Sequence, residues 1–127
     1  MVSAPIYCSF IAIGLIRAQN AAVPIFTHNY DYAQPTGKGL LGHGNWLQEP
    51  MDIARVPRPL QAEVVAYLID CFTNVIPGLE TEDGNTHLVK TAGTLTAGDW
   101  ANEFHPTPTA FKKLRAKHVA AIKSLLG

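Results

Sequence analysis

The chain has 127 residues, of which 47% are hydrophobic and 16% charged. That composition excludes a disordered chain and suits one small domain with a real core. Lys plus Arg and Asp plus Glu number ten each, so net charge gives no reason to expect nucleic acid or an acidic partner.

The first segment, "IYCSFIAIGLI" (6–16), is apolar and is followed by "AQNAA" (18–22), which has the small residues of a signal cleavage region. No Lys or Arg precedes the run, as a secretory n-region requires. It is also too short to span a membrane. Residues 5–20 therefore read as a buried helix that starts near Pro5, a residue suited to a first helical turn. A cytoplasmic location is slightly favoured over a secreted one. Cys8 and Cys71 each lie in an apolar run and are expected as buried thiols rather than a disulfide.

"VPIFTH" (23–28) is a short β-branched and aromatic run, expected as a parallel strand buried on both faces. Residues 29–58 carry four glycines and three prolines and show neither a helical nor a strand period. A loop of that length is usually functional or disordered. Its aromatics, Tyr30, Tyr32 and Trp46, point to a packed loop that borders a site. "GKG" (37–39) and "GHG" (42–44), the latter around His43, do not make a phosphate loop, because no GxxxxGK[ST] is present.

Pro59 begins a helix over 59–75, with Leu60, Val64, Leu68 and Phe72 on one face and Val65 and Ile69 widening it. "IPGLE" (76–80) is expected to end it. "TEDGN" (81–85) reads as a turn, "THLVKTAG" (86–93) as a second strand, and 94–106 as a loop. The last helix starts near Thr107, a capping residue, with Pro108 at its first position. Phe111, Leu114, His118, Ile122 and Leu125 share a face. Lys112, Lys113, Arg115, Lys117 and Lys123 form a solvated one, and no nucleic-acid partner is expected from it.

Helices alternating with strands imply an α/β chain with a parallel sheet. Two strands are too few for a stable parallel sheet. The pattern therefore reads as part of a larger doubly wound fold, with more strands coming from a partner chain or a longer ancestor, and homo-oligomerisation is one outcome. The five histidines show no HxxxH or HExxH spacing, and neither a metal nor a cofactor is expected.

The chemistry concentrates in "DWANEFHPTP" (99–108). His105 follows the second strand, and ligands of open α/β sheets bind beyond the carboxyl ends of strands. A histidine there can act as a general base if an acceptor fixes one ring nitrogen. A residue three positions earlier can reach that nitrogen, and Pro106 restricts His105 to extended backbone. Spacing alone favours the plainer reading, a histidine hydrogen-bonded in a turn before a helix, since isolated His-Pro pairs carry little specificity.

The stretch "DWANEFHPTPTAFKKLRAKHVAAI" resembles the last signature block of the SGNH (GDSL-type) hydrolases, in which an Asp-x-x-His element opens the C-terminal helix. "VPIFTHNYDYAQP" and "GNWLQEP" resemble the strand and active-site loop before that block, and the similarity runs from about Val23 onward. The resemblance implies a three-layer α/β/α, flavodoxin-like fold, with residues 1–127 as one partial domain, its C-terminal half. It implies a serine ester hydrolase acting on small esters. His105 would be the general base and Asn102 would stand where the family has Asp. Asn29, Tyr30, Asp31, Tyr32 and Trp46 would border the substrate. The family's nucleophilic serine and oxyanion-hole segments are not seen: neither Gly-Asp-Ser nor Gly-x-Asn-Asp occurs, and Ser3, Ser9 and Ser124 are not credible nucleophiles. An amide at 102 can fix the tautomer but brings no negative charge. Asp99, Glu103 or a backbone carbonyl remain alternatives as the orienting group.

Overall fold

The computed structural model describes residues 4–39 and 45–127. Its architecture is mixed α/β around a two-stranded parallel sheet. In chain order come α1 (Ala4–Gln19), β1 (Ile25–His28), α2 (Gln48–Ile53), α3 (Arg58–Thr73), α4 (Ile76–Asp83), β2 (Thr86–Val89) and α5 (Pro108–Leu126). A single 3₁₀ turn, Ala97–Asp99, precedes the last helix. Among the described residues, no helix is long and apolar enough to cross a membrane. The expectations for Cys8's thiol, the Ser9 hydroxyl, Ser3 and His43 lie outside the described residues.

The strands pair in the register Ile25↔Thr86 to His28↔Val89. The Ile25 N–H donates to the Asn85 carbonyl at 3.0 Å. In a parallel ladder this turns the N–H and C=O groups of Ile25 and Thr27 toward β2, and those of Phe26 and His28 toward the opposite edge. No described strand pairs with that edge. The far edge of β2 is closed differently: the Leu88 N–H donates to the Glu80 carboxylate of α4.

The centre of the core is small. Ile13 of α1 and Ile76 of α4 pack with Ile25 and Leu88. The strand at β1 is only half-buried and ends on an exposed His28, where burial on both faces was expected. Helix α1, expected to be buried, leaves Ile11, Leu15 and Ile16 exposed. The apolar face of α3 is open as well: Leu60 is 46% and Leu68 59% exposed, while Gln61 and Val65 are the buried pair. The physical reason is area. Two strands of four residues cannot cover the faces of three long helices. Cys71, on α3, is exposed rather than buried.

Several boundaries differ from the sequence reading: the first strand begins at Ile25, and residues 81–83, expected in a turn, lie in α4. Residues 76–80 do not end a helix but open α4, because Pro77 sits in a first turn, where its missing N–H costs nothing. Gly84 then ends α4 at φ 70°, a left-handed cap that favours glycine. The second strand stops at Val89, since the N–H groups of Thr91 to Leu95 bond to side chains instead. The long loop contains one short helix, α2, which its composition concealed.

One ion pair holds the two helices to the sheet. Arg17, in the last turn of α1, donates to both Asp83 carboxylate oxygens at 2.7 and 2.5 Å, to the Asn85 carbonyl at 2.9 Å and to the Val23 carbonyl. The Thr86 hydroxyl adds a bond to Asp83 at 2.6 Å. The Arg17 bonds, helped by Thr86, hold the Asp83 carboxyl well below the usual carboxylate range. A carboxyl whose folded pKa lies below its unfolded value of about 3.9 stabilises the fold above that pH and ceases to as pH falls through the folded value. Thermal melts should therefore give a level Tm above about pH 5 and a decline below about pH 4, and Asp83→Asn should flatten part of that decline.

Candidate active site

The site begins with unpaired backbone. Past His28 and Val89 the strands stop, and the N–H groups of the following loops need acceptors. Asn29 and Asp31 supply them, both buried. Asn29 Oδ1 accepts from Thr91 N at 2.6 Å and Ala92 N at 3.2 Å, while its Nδ2 donates to Thr73 Oγ1 at 3.1 Å. The Thr91 hydroxyl donates to the Asn29 carbonyl. Asp31 Oδ1 accepts from Tyr32 N at 2.8 Å and Gly93 N at 2.7 Å; Oδ2 accepts from Thr94 N at 3.0 Å and Leu95 N at 2.8 Å. Gly93 has φ 76°, which few other residues adopt without strain. These two side chains join the loops after both strands into one platform.

The loop 96–107 rises from that platform as a closed unit. Thr96 N and Oγ1 each donate to Asp99 Oδ2 at 2.9 Å, which caps the 3₁₀ turn. Lys113 of α5 pairs with Asp99 at 2.7 Å, and the Thr107 N–H donates to the Asp99 carbonyl at 2.7 Å. The Lys113 bond, followed by those from Thr96, pulls the Asp99 carboxyl down to about 2. Trp100 and Pro106 face each other across an antiparallel bridge, and Ala101 N donates to the His105 carbonyl at 2.8 Å. Thr107 Oγ1 then accepts from Ala110 N at 3.2 Å and starts α5 at the expected place.

Asn102 sits buried inside this loop. Its Oδ1 accepts from Phe104 N at 3.0 Å and His105 N at 2.8 Å, and lies 2.9 Å from His105 Nδ1. An oxygen already facing two backbone donors is a carbonyl and can only accept. Nδ1 therefore carries the ring proton, and Nε2 keeps its lone pair. This is the tautomer a general base requires. The other carboxylates considered for this role are committed elsewhere: Asp99 to Lys113 and Thr96, and Glu103 to the backbone described next.

Glu103, buried beside Asn102, anchors the opposite wall. Its Oε1 accepts from Gly37 N and Gln48 N, both at 3.0 Å, and its Oε2 from Leu47 N at 2.7 Å. Its own N–H donates to the Lys38 carbonyl at 3.1 Å. Gly37, at φ 71°, leaves room that a Cβ would take 2.4 Å from Gln48 Oε1. Asn102 thus holds the imidazole and Glu103 gathers the long loop around it.

The long loop in turn supplies aromatic walls. Trp46 lies 5.4 Å from Phe104 and edge-on to His105 at 6.4 Å, by ring centroids. Tyr30 packs against Trp100 at 6.1 Å and Phe104 at 6.5 Å, and its hydroxyl donates to the Phe104 carbonyl. Burial pushes the Tyr30 phenol up, so it stays neutral. Together these elements form an open-sided cavity of about 130 Å³ lined by His28, Asn29, Tyr30, Asp31, Thr91, Trp100, Phe104, His105, Pro106, Phe111 and Leu114. No serine is among the residues that line it.

Of the residues singled out from sequence, His105, Asn29, Tyr30 and Asp31 line the cavity, Asn102 holds His105 from behind, and Trp46 packs on the rim. The polar atoms of Asn29 and Asp31 are turned to backbone rather than to the cavity. Tyr32 is directed elsewhere: its hydroxyl donates to Asp70 of α3 at 2.8 Å, a bond that raises its pKa. Sequence reasoning missed Glu103 as the loop anchor and Trp100, Phe104, Phe111 and Leu114 as walls. The aromatic pair flanking Asn102 was the available signal. Among the described residues, no three His, Cys, Asp or Glu side chains come together as metal ligands.

Scanned against family models the chain matches none, and no curated protein and no solved structure matches it.

Glu103→Gln removes the charge that three backbone donors share and turns an NH₂ group toward one of them. It should cost about 3 kcal/mol of stability. Urea denaturation of the two proteins, compared at equal m-value, measures this.

Proposed function

We propose that this chain contributes the histidine arm of a serine ester hydrolase of the SGNH type. In this reading β1, β2 and their helices form part of a three-layer α/β/α domain whose remaining strands, with the serine and the oxyanion hole, come from another segment. His105 Nε2 takes the proton of the serine hydroxyl as its oxygen attacks the ester carbonyl. The same nitrogen returns that proton to the departing alkoxide, which leaves an acyl-serine for water to hydrolyse. Asn102 orients the ring throughout. Because it is an amide, it adds no negative charge to stabilise the imidazolium, and turnover is slower than with a carboxylate there. Tyr30, Trp46 and Trp100 form the apolar side of a site for a small ester.

The observation that carries the reading is the 2.9 Å contact between Asn102 Oδ1 and His105 Nδ1, which in the neutral ring places the proton on Nδ1 and the lone pair on Nε2. Among the described residues no serine lines the cavity, so purified protein should not turn over p-nitrophenyl acetate above the background of free imidazole. A tagged chain recovered from the cells that make it should bring down a polypeptide whose serine reacts with a fluorophosphonate probe. His105→Ala should abolish the labelling while the complex persists. Recovery of no reactive serine, or labelling indifferent to His105, contradicts the reading.

The open edge of β1 supports a second reading, a non-catalytic interaction or dimerisation module. Phe26 and His28 direct backbone groups to that edge, and Leu68, Phe111 and Ile122 lie exposed. Sedimentation velocity at about 10 µM should then show a species heavier than the 13.8 kDa monomer. A clean monomer with a sharp melting transition counts against it.

A further inference from the structure

We propose that the cavity beside His105 binds a single-ring aromatic alcohol, a phenol, with its ring between the aromatic walls and its hydroxyl donating to His105 Nε2. The proposal concerns binding and holds whether or not the chain takes part in ester hydrolysis.

Size comes first. The cavity measures about 130 Å³. Apolar protein cavities of about 150 Å³ take up benzene. A single ring therefore matches it in volume, and on the side of His28, Thr91, Phe111 and Leu114 the cavity adjoins a groove of about 320 Å³. Its surroundings suit a ring, because Tyr30, Trp100, Phe104, Phe111 and Leu114 supply apolar surface at several angles.

Polarity then selects the substituent. Most polar side-chain atoms along the lining are already engaged. Asn29 and Asp31 accept from loop N–H groups, the Thr91 hydroxyl donates to the Asn29 carbonyl, and the Tyr30 hydroxyl donates to the Phe104 carbonyl. The exceptions are the two histidines and the Trp100 indole N–H, a buried donor without an acceptor among the described residues. His105 Nδ1 donates to Asn102 Oδ1 at 2.9 Å, and His28 Nδ1 donates to the Asn29 carbonyl at 3.1 Å. Each therefore offers an Nε2 lone pair, an acceptor without a donor among the described residues. His28 stands edge-on to His118, at 5.2 Å between ring centroids. His105 is flanked by Trp46 and the cavity aromatics. A ligand that is apolar in bulk and carries one hydroxyl meets these conditions, since the hydroxyl donates to an Nε2 and keeps lone pairs of its own to accept a bond. A carboxylate would bring acceptors to an acceptor, and an unsubstituted ring would leave Nε2 unpaired.

The test uses the full chain at about pH 8, where imidazole is neutral and phenol is protonated. Phenol and toluene, rings of nearly equal size, are titrated separately while the NMR signals of the Trp100 indole, the Leu114 methyls and the His105 ring are followed. Phenol should give saturable shifts at these positions and bind about fivefold more tightly than toluene, the worth of one neutral hydrogen bond. His105→Ala should erase the preference while toluene still binds, and His28→Ala should keep it. Because His105 is exposed, its replacement leaves the fold intact, which circular dichroism verifies. The proposal fails if neither ring gives saturable local shifts, if the two bind equally to the unaltered protein, or if His28→Ala is the variant that loses the preference.

Discussion

Everything at the strand ends depends on finding acceptors for backbone N–H groups. Two strands of four residues satisfy few of them, and the loops that follow carry many more. Buried side-chain oxygens meet the need. Asn29, Asp31, Asn102 and Glu103 each draw two or more backbone N–H groups onto one or two oxygens. The two carboxylates, Asp31 and Glu103, are ringed by backbone N–H groups, which take the place of a counter-charge. Bonds of this kind to a carboxylate are about twice as strong as neutral ones. Long-range order in the loops thus comes from four polar residues more than from the hydrophobic core, which is centred on Ile13 and Ile76.

The same device produces the site. Asn102 would be needed for the turn even if residue 105 had no side chain, since its Oδ1 accepts from two backbone donors. Holding the imidazole adds a third bond to an oxygen already fixed. The ring is oriented at little further entropic cost, because loop and ligand of the bond were ordered together. Glu103, next in sequence, points the other way and brings Gly37, Leu47 and Gln48 to the rim. One dipeptide therefore governs both the base and the wall against which a ligand would lie.

Much of this was legible in the sequence where the cause is local. Thr107 and Pro108 fix the start of α5 through capping and a preset φ, and α5 begins there. A residue three before a histidine reaches its ring through short-range geometry, and Asn102 does. The limits of α1 and α3 follow from runs of helix formers bounded by Asn, Pro and turn residues. Where the reading failed, the cause was not local. The stripe of Leu60, Leu68 and Phe72 is a correct helical face, but a stripe does not say whether a partner covers it, and here little does. The second strand was drawn too long because nothing in "KTAG" shows that Asn29 and Asp31, some sixty positions earlier, take its N–H groups.

The sequence by itself determined α1, α3 and α5, the two short strands in outline, and the reach of residue 102 to the ring of His105, since each rests on residues within a few positions of one another. Only the tertiary structure decided that Asp31 and Glu103 are loop anchors, that Tyr32 turns to Asp70, and that Phe111 and Leu114 close the cavity. Those assignments depend on which N–H groups lack a partner once the strands have ended. That is a property of the folded backbone as a whole, and no local pattern of side chains records it.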